Sequence, residues 1–185
     1  MELRSKDPRA IKQWLLLALI AFEGGNAASA LDQEQLPEEA GLRPRAGQQE
    51  NLGQGKRVWT ALRQEDYEID FNNWLGAVTE NSVAYAVTYL HSDTAQTNLI
   101  MKVGSDDQAK IFLNESEIYW QRNSREWMPD QDELSGVELK AGLNVLVFKV
   151  VNGTGGWAGS VRFVDAAGKP VNGLRVTLEP EAGKQ

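Results

Sequence analysis

An all-β fold, two antiparallel sheets packed face to face, is what three features of this sequence predict. Short runs rich in Val, Ile, Tyr and Phe recur about every 8 to 15 residues from Arg57 onward. Gly, Asn and Asp separate those runs at turn-like intervals. Within the runs, apolar residues follow the period of two that alternates side chains across a strand and leaves helices little room.

The first apolar run, Trp14 to Phe22, follows a mixed-charge start and precedes Ala28-Ser-Ala30, an arrangement that imitates a signal peptide. Glu2 and Asp7 stand where a basic region belongs, and Glu23-Gly-Gly25 separates the run from the supposed cut. The run is too short to span a bilayer as a helix. A buried first strand is the reading preferred here.

Leu31 to Gly55 is polar and turn-rich without a sustained apolar period, so a long excursion with one short helical turn is expected. The candidate strands then run Arg57–Leu62, Tyr67–Phe71, Ser82–His91, Asn98–Val103, Ala109–Leu113, Ile118–Gln121, Gly136–Leu139, Asn144–Val151, Gly159–Val164 and Leu174–Leu178. In the Ser82 strand, Val83, Tyr85, Val87 and Tyr89 share one face and are assigned to the core, opposite Ala84, Ala86 and Thr88. The Asn144 strand is apolar on both faces except at Lys149, which makes it central, with Lys149 near the edge of the apolar layer or paired. Asn152-Gly153 and Asn172-Gly173 read as tight turns, and Asp165-Ala-Ala-Gly168 ends a strand. One sandwich domain over residues 1–180, with 181–185 a tail or linker stub, accounts for the chain.

With 26 acidic residues against 19 basic ones and a net charge of -7, the chain repels a phosphate backbone, so no nucleic-acid partner is expected. No cysteine is present, which excludes disulfides, thiol nucleophiles and cysteine-based zinc sites. His91 is the sole histidine and reads as a surface residue at a strand end. No Gly-x-Ser-x-Gly elbow accompanies it. Gly168-Lys169 lacks the spacing of a phosphate-binding loop. No cofactor, metal or membrane span is expected.

Three segments resemble galactose-binding-like jelly-roll domains. Val103-Gly-Ser-Asp-Asp-Gln-Ala-Lys-Ile-Phe-Leu-Asn114 is similar to the family's G-S-D-D-G-x-x-V-W-L-N-G signature. Leu139-Lys-Ala-Gly-Leu-Asn-Val-Leu-Val-Phe-Lys-Val-Val-Asn152 resembles its L-K-x-G-x-N-x-L-x-V-K-V strand. Gly155-Gly-Trp-Ala-Gly-Ser-Val-Arg-Phe-Val-Asp-Ala-Ala-Gly168 resembles its closing G-x-W-x-F-x-x-R-x-x-D-x-x-G. Ile11-Lys-Gln-Trp14 and the apolar run after it look like the family's entry strand. Glu115 and Ser116 depart from the glycine that usually follows the signature's Asn, so that turn is longer or holds Asn114 left-handed. Such domains are accessory sandwiches of glycoside hydrolases and of multidomain bacterial surface proteins. The resemblance therefore implies a non-catalytic carbohydrate-binding module, exported or at a bacterial cell surface, with a glycan or polysaccharide as partner beside other domains of a larger protein.

Sugar rings pack an apolar C–H face on an indole while polar side chains bind their hydroxyls. The candidate glycan-binding residues are therefore Trp120, Arg122, Arg125, Trp127, Asp130 and Trp157. Trp127 lies in a polar loop and either folds back as a lid or projects for binding. Trp157, between glycines and a strand start, reads more readily as a core plug. Trp14, Trp59 and Trp74 serve packing. Asp106, Asp107 and Asn114 are assigned to turns; the resemblance implies that the two aspartates organise a corner through backbone N–H groups or, in some relatives, near a bound cation, and the turn reading is preferred. Carboxylate pairs for hydrolysis can be drawn from Glu65, Asp66, Asp106, Asp107, Asp130, Asp132 and Glu133, but so acidic a chain produces such pairs by chance. A structural or protein-interaction sandwich is the alternative function, and a small hydrolase ranks last.

Overall fold

The computed structural model describes residues 10–23 and 26–180; the expected tail at 181–185, together with Glu2 and Asp7, lies outside these residues. Its strands are β1 (Gln13–Ala21), β2 (Gln49–Leu52), β3 (Gly55–Val58), β4 (Thr60–Arg63), β5 (Ile69–Asp70), β6 (Ser82–Ser92), β7 (Gln96–Asp106), β8 (Gln108–Leu113), β9 (Ser116–Gln121), β10 (Asp132–Leu139), β11 (Gly142–Asn152), β12 (Ala158–Val164) and β13 (Leu174–Thr177). Two short helices, α1 (Ala27–Asp32) and α2 (Phe71–Leu75), are capped by the side chains of Asn26 and Asp70. The larger sheet has seven strands in the order β4-β1-β6-β11-β8-β9, with β13 also paired to β6. The smaller has four, β10-β7-β12-β5, and β2-β3 forms a separate hairpin. All recorded pairings are antiparallel.

The apolar run at the start forms β1, between β4 and β6. Trp14 and Leu16 face the inter-sheet core while Leu15, Leu17 and Ile20 face the opposite side, and all five are buried. A run without polar alternation suits a strand covered on both faces.

The large face of β6 is buried but not between the sheets. Ala84, Ala86 and Leu90 occupy the inter-sheet core, where Trp14, Phe148, Trp157 and Phe163 fill the room that the alanines leave. Val83, Tyr85, Val87 and Tyr89 instead lie in a second apolar layer with Leu31, Leu36 and Trp59. The excursion supplies that layer: α1, a single 3-10 turn at Glu39–Gly41 and the β2-β3 hairpin roof the outer face of the large sheet. The polar sequence of this segment is its solvent side, and a few apolar residues suffice to seal the sheet beneath it.

Lys149 sits under this roof and is paired, at the centre of the layer and not at its edge. Its fully buried Nζ donates to the carbonyls of Leu31 (3.0 Å) and Gln33 (2.6 Å) and to Glu39 Oε2 (2.8 Å). Burial pushes the lysine pKa down and the Glu39 carboxylate opposes that shift.

Other expectations shift in detail. Arg57–Leu62 divides between β3 and β4 at Trp59, and Tyr67–Phe71 keeps only Ile69–Asp70 as strand before α2 begins. Asn172-Gly173 turns with Gly173 at φ 69°. Asn152-Gly153 makes no such turn: Asn152 is a buried strand residue and the Gly153 N–H donates to Asp107 Oδ2. His91 is buried at the end of β6, not on the surface.

Candidate functional site

The outer face of the four-stranded sheet carries a cleft of about 800 Å³ at one end. Strand register builds its floor. Ala158 of β12 pairs with Asp70 of β5 on one side and with Asp106 of β7 on the other. Directly paired residues project to the same face, so the two carboxylates flank an alanine too small to fill the space between them. Val161, Phe163, Val103 and Met101 alternate with these positions and face the inter-sheet core, which fixes the cleft on the outer side.

Glu68, just before the short strand Ile69–Asp70, lines the cleft beside Asp70, while Ile69 between them is buried in the inter-sheet core. A neighbouring hollow of about 350 Å³ shares Glu68, Asp70 and Asn73 and adds Asp66, so the acidic lining continues beyond the main cleft. The run of acids Glu65, Asp66, Glu68 and Asp70 is the signal in the sequence for this wall.

Asn72 and Asn73 of α2, with Gly76 to Val78 behind them, form a second wall. Asp70 positions the helix by accepting the Asn73 N–H at 2.9 Å. Asn72 ties it to the β11–β12 loop by donating to the Gly155 carbonyl at 2.8 Å.

Glu126 and Trp127 close the opposite side. Trp127 is half-buried, 6.2 Å from the Tyr67 ring, and its Nε1–H donates to Ser160 Oγ at 3.1 Å. It lies against Gly104, where a Cβ would come within 2.4 Å of the Met128 carbonyl oxygen and 2.9 Å of Trp127 Nε1. Only glycine lets the loop approach the sheet this closely. Trp127 thus folds onto the outer face of the sheet and still lines the cleft.

Burial raises the Asp106 pKa to about 6, with Asp107 and Glu126 adding to the rise and the Trp127 backbone N–H opposing it. Glu68 is raised by burial and then by Asp66, Asp70 and Asp106. Among the described residues no group of three or more His, Cys, Asp or Glu is gathered closely enough to hold a metal ion.

The residues singled out from the sequence do not form one surface. Trp127 and Trp157 line the cleft, although Trp157 is 1% exposed and stacks on Phe71 in the core. Trp120 is 56% exposed on β9, across from Lys110, on the outer face of the other sheet. Arg122 lies 5.2 Å over its ring and pairs with Asp32 at 2.7 Å. Trp120 and Trp127 therefore stand on opposite sides of the sandwich, Trp120 by its pairing with Lys110 and Trp127 by its contacts with Ser160 and Gly104.

Arg125 and Asp130 hold the Trp127 loop. Arg125 bonds Asp132 (2.7 Å), Ser105 Oγ (2.8 Å) and the Tyr119 hydroxyl (3.2 Å), and Asp130 pairs with Arg162 through both oxygens. Asp107 Oδ1 accepts from Ser124 Oγ and the Arg125 N–H, and its Oδ2 accepts from Gly153. Asn114 is left-handed, and its side chain links Val145 N–H with Asn144. Asp106, assigned to the same corner as Asp107, faces the cleft instead.

The chain matches no protein-family model and no curated protein. Among solved structures it is similar to a family 35 carbohydrate binding module from an environmental isolate, at 23% identity over 55% of this chain and 76% of that one, with a TM-score of 0.38. It is also similar to the PA14 domain of the MpAFP antifreeze protein, at 15% identity over 54% of this chain and 53% of that one, again with a TM-score of 0.38. The all-β sandwich itself stands on the sheet topology described above. Among the described residues no helix is long and apolar enough to cross a membrane.

Proposed function

We propose that this chain is a non-catalytic glycan-binding module whose ligand lies in the cleft over the outer face of the four-stranded sheet. The observation that carries the reading is the pairing of a half-buried indole, Trp127, with a cleft of about 800 Å³ rimmed by hydrogen-bond acceptors. An indole face packs on the C–H side of a pyranose, and carboxylate and amide oxygens accept from its hydroxyls. The exposed Trp120 with its Arg122 neighbour favours a second reading, a protein contact on the opposite face.

Tryptophan fluorescence titrated against soluble glycans, with pull-down on insoluble polysaccharides, tests this. Saturable binding that Trp127→Ala abolishes and Trp120→Ala retains is the expected result. Loss in Trp120→Ala alone moves the site to the other face. An absence of binding to every glycan replaces the carbohydrate reading with the interaction reading.

A further inference from the structure

Four carboxylates line the cleft, those of Glu68, Asp70, Asp106 and Glu126, and no lysine or arginine is among its described lining residues. Several acids elsewhere in the fold meet cations: Asp130 meets Arg162, Asp132 meets Arg125, Glu39 meets Lys149, Glu133 meets Lys102. The described lining of the cleft instead carries charge of one sign. Burial raises the pKa of Glu68 and Asp106, and neighbouring carboxylates add to the rise.

A second, independent feature lies at the inner end of the same cleft. Trp157 is buried at 1% exposure, and no described residue accepts its Nε1–H. A buried donor without a partner is uncommon in a folded protein, and a ligand acceptor reaches this one only if the cleft wall shifts. The site therefore offers an indole face at Trp127 and four anionic acceptors around the remaining space, with the unpartnered Trp157 N–H just behind its wall.

We propose that the cleft selects glycans bearing a protonated amine, such as glucosamine oligomers, over neutral and acidic ones; this rests on the glycan-binding reading of the same cleft. An ammonium group placed among the carboxylates forms charge-assisted hydrogen bonds and relieves their mutual repulsion, while a uronate adds to it. The pyranose face lies on Trp127. The carboxylates rim a large space and do not converge on a point, which suits a cation carried on an organic body better than a bare metal ion.

The probes are a glucosamine tetramer, its N-acetylated counterpart and a galacturonate oligomer of the same length, titrated calorimetrically slightly below neutral pH, where the sugar amines are protonated. The glucosamine oligomer binds at least about tenfold more tightly than the N-acetylated one, the galacturonate oligomer does not bind, and the preference shrinks as salt rises. Asp106→Asn combined with Glu126→Gln removes the preference, and Trp127→Ala removes binding; thermal unfolding of each variant confirms that it is folded. Equal or tighter binding of the N-acetylated or galacturonate oligomer overturns the charge selection and leaves glycan binding standing. Glucosamine binding that survives Trp127→Ala overturns the assignment to this cleft. Binding of none of the three, with none to other glycans, removes both readings.

Discussion

Asp106 shows how one side chain can be kept out of its comfortable state by its surroundings. Its folded pKa is about 6 against an ordinary 3.8, because burial and the neighbouring acids disfavour the anion. A raised carboxyl pKa means that the folded protein holds the proton more tightly than the unfolded chain does. Stability contributed by this group is therefore present below 3.8 and is lost as pH climbs toward about 6. Asp106→Asn raises the thermal midpoint at neutral pH, and the gain over wild type vanishes on acidification below that window; a gain independent of pH would contradict the assignment. At the β8–β9 turn the strain is conformational. Asn114 and Glu115 both have positive φ, 52° and 72°, in a two-residue loop between the paired Leu113 and Ser116. Asn tolerates this region and Glu does not, and the exposed Arg43–Glu115 ion pair offsets little of the strain. Glu115→Gly is expected to stabilise the protein by about 1 kcal/mol, measured by urea unfolding.

Among the elements, the excursion between β1 and β4 departs furthest from what its composition suggests. Polar and turn-rich, it nevertheless buries Leu31, Leu36 and the following Trp59 against β1, β6 and β11. Lys149 binds it at the middle of the sheet, joining two excursion carbonyls and Glu39 to β11. Removing one member of a buried ion pair leaves an uncompensated charge, so Lys149→Met destabilises the fold by about 3–5 kcal/mol. The double variant Lys149→Met with Glu39→Leu recovers only part of that loss: both charge-desolvation penalties disappear, but the buried Tyr85 hydroxyl loses its acceptor and the carbonyls of Leu31 and Gln33 lose their donor. Denaturant unfolding of the two variants measures this. A double variant as unstable as the single one would show that the lysine stem's packing, and not the charge, holds the roof in place.

For the molecule as a whole, the two apolar layers share their central strands. β1, β6 and β11 each present one face to the inter-sheet core and the other to the layer under the excursion. Neither layer can melt without exposing the strands that carry the other. Thermal unfolding followed by far-UV circular dichroism and by tryptophan fluorescence is therefore expected to give coincident midpoints. Trp59 reports from the outer layer and Trp14 and Trp157 from the inner one, so separate midpoints would reveal a roof that detaches before the sandwich opens.

Much of this architecture was legible in the order of residues. Period-two alternation marks the strands, and the unbroken apolar runs of β1 and β11 announce burial on both faces, because side-chain direction along a strand depends only on local geometry. The left-handed turn at Asn114 and the corner around Asp107 were readable for the same reason. Which layer each buried face joins was not: the large face of β6 and the small one are both apolar, and only the roof over one of them assigns the aromatic residues to it. Trp120 and Trp127, seven positions apart in a polar stretch, looked like one aromatic surface, yet the strand and loop between them carry them to opposite sides of the sandwich. The cleft itself is a product of register. Asp70 and Asp106 are far apart along the chain and become neighbours across Ala158 only when β5, β12 and β7 align, a pairing decided by the packing of the whole sheet. Local chemistry therefore determined the strands, the turns and the acidic residues available, whereas contacts distant in sequence decided which of those acids share a cavity with which indole.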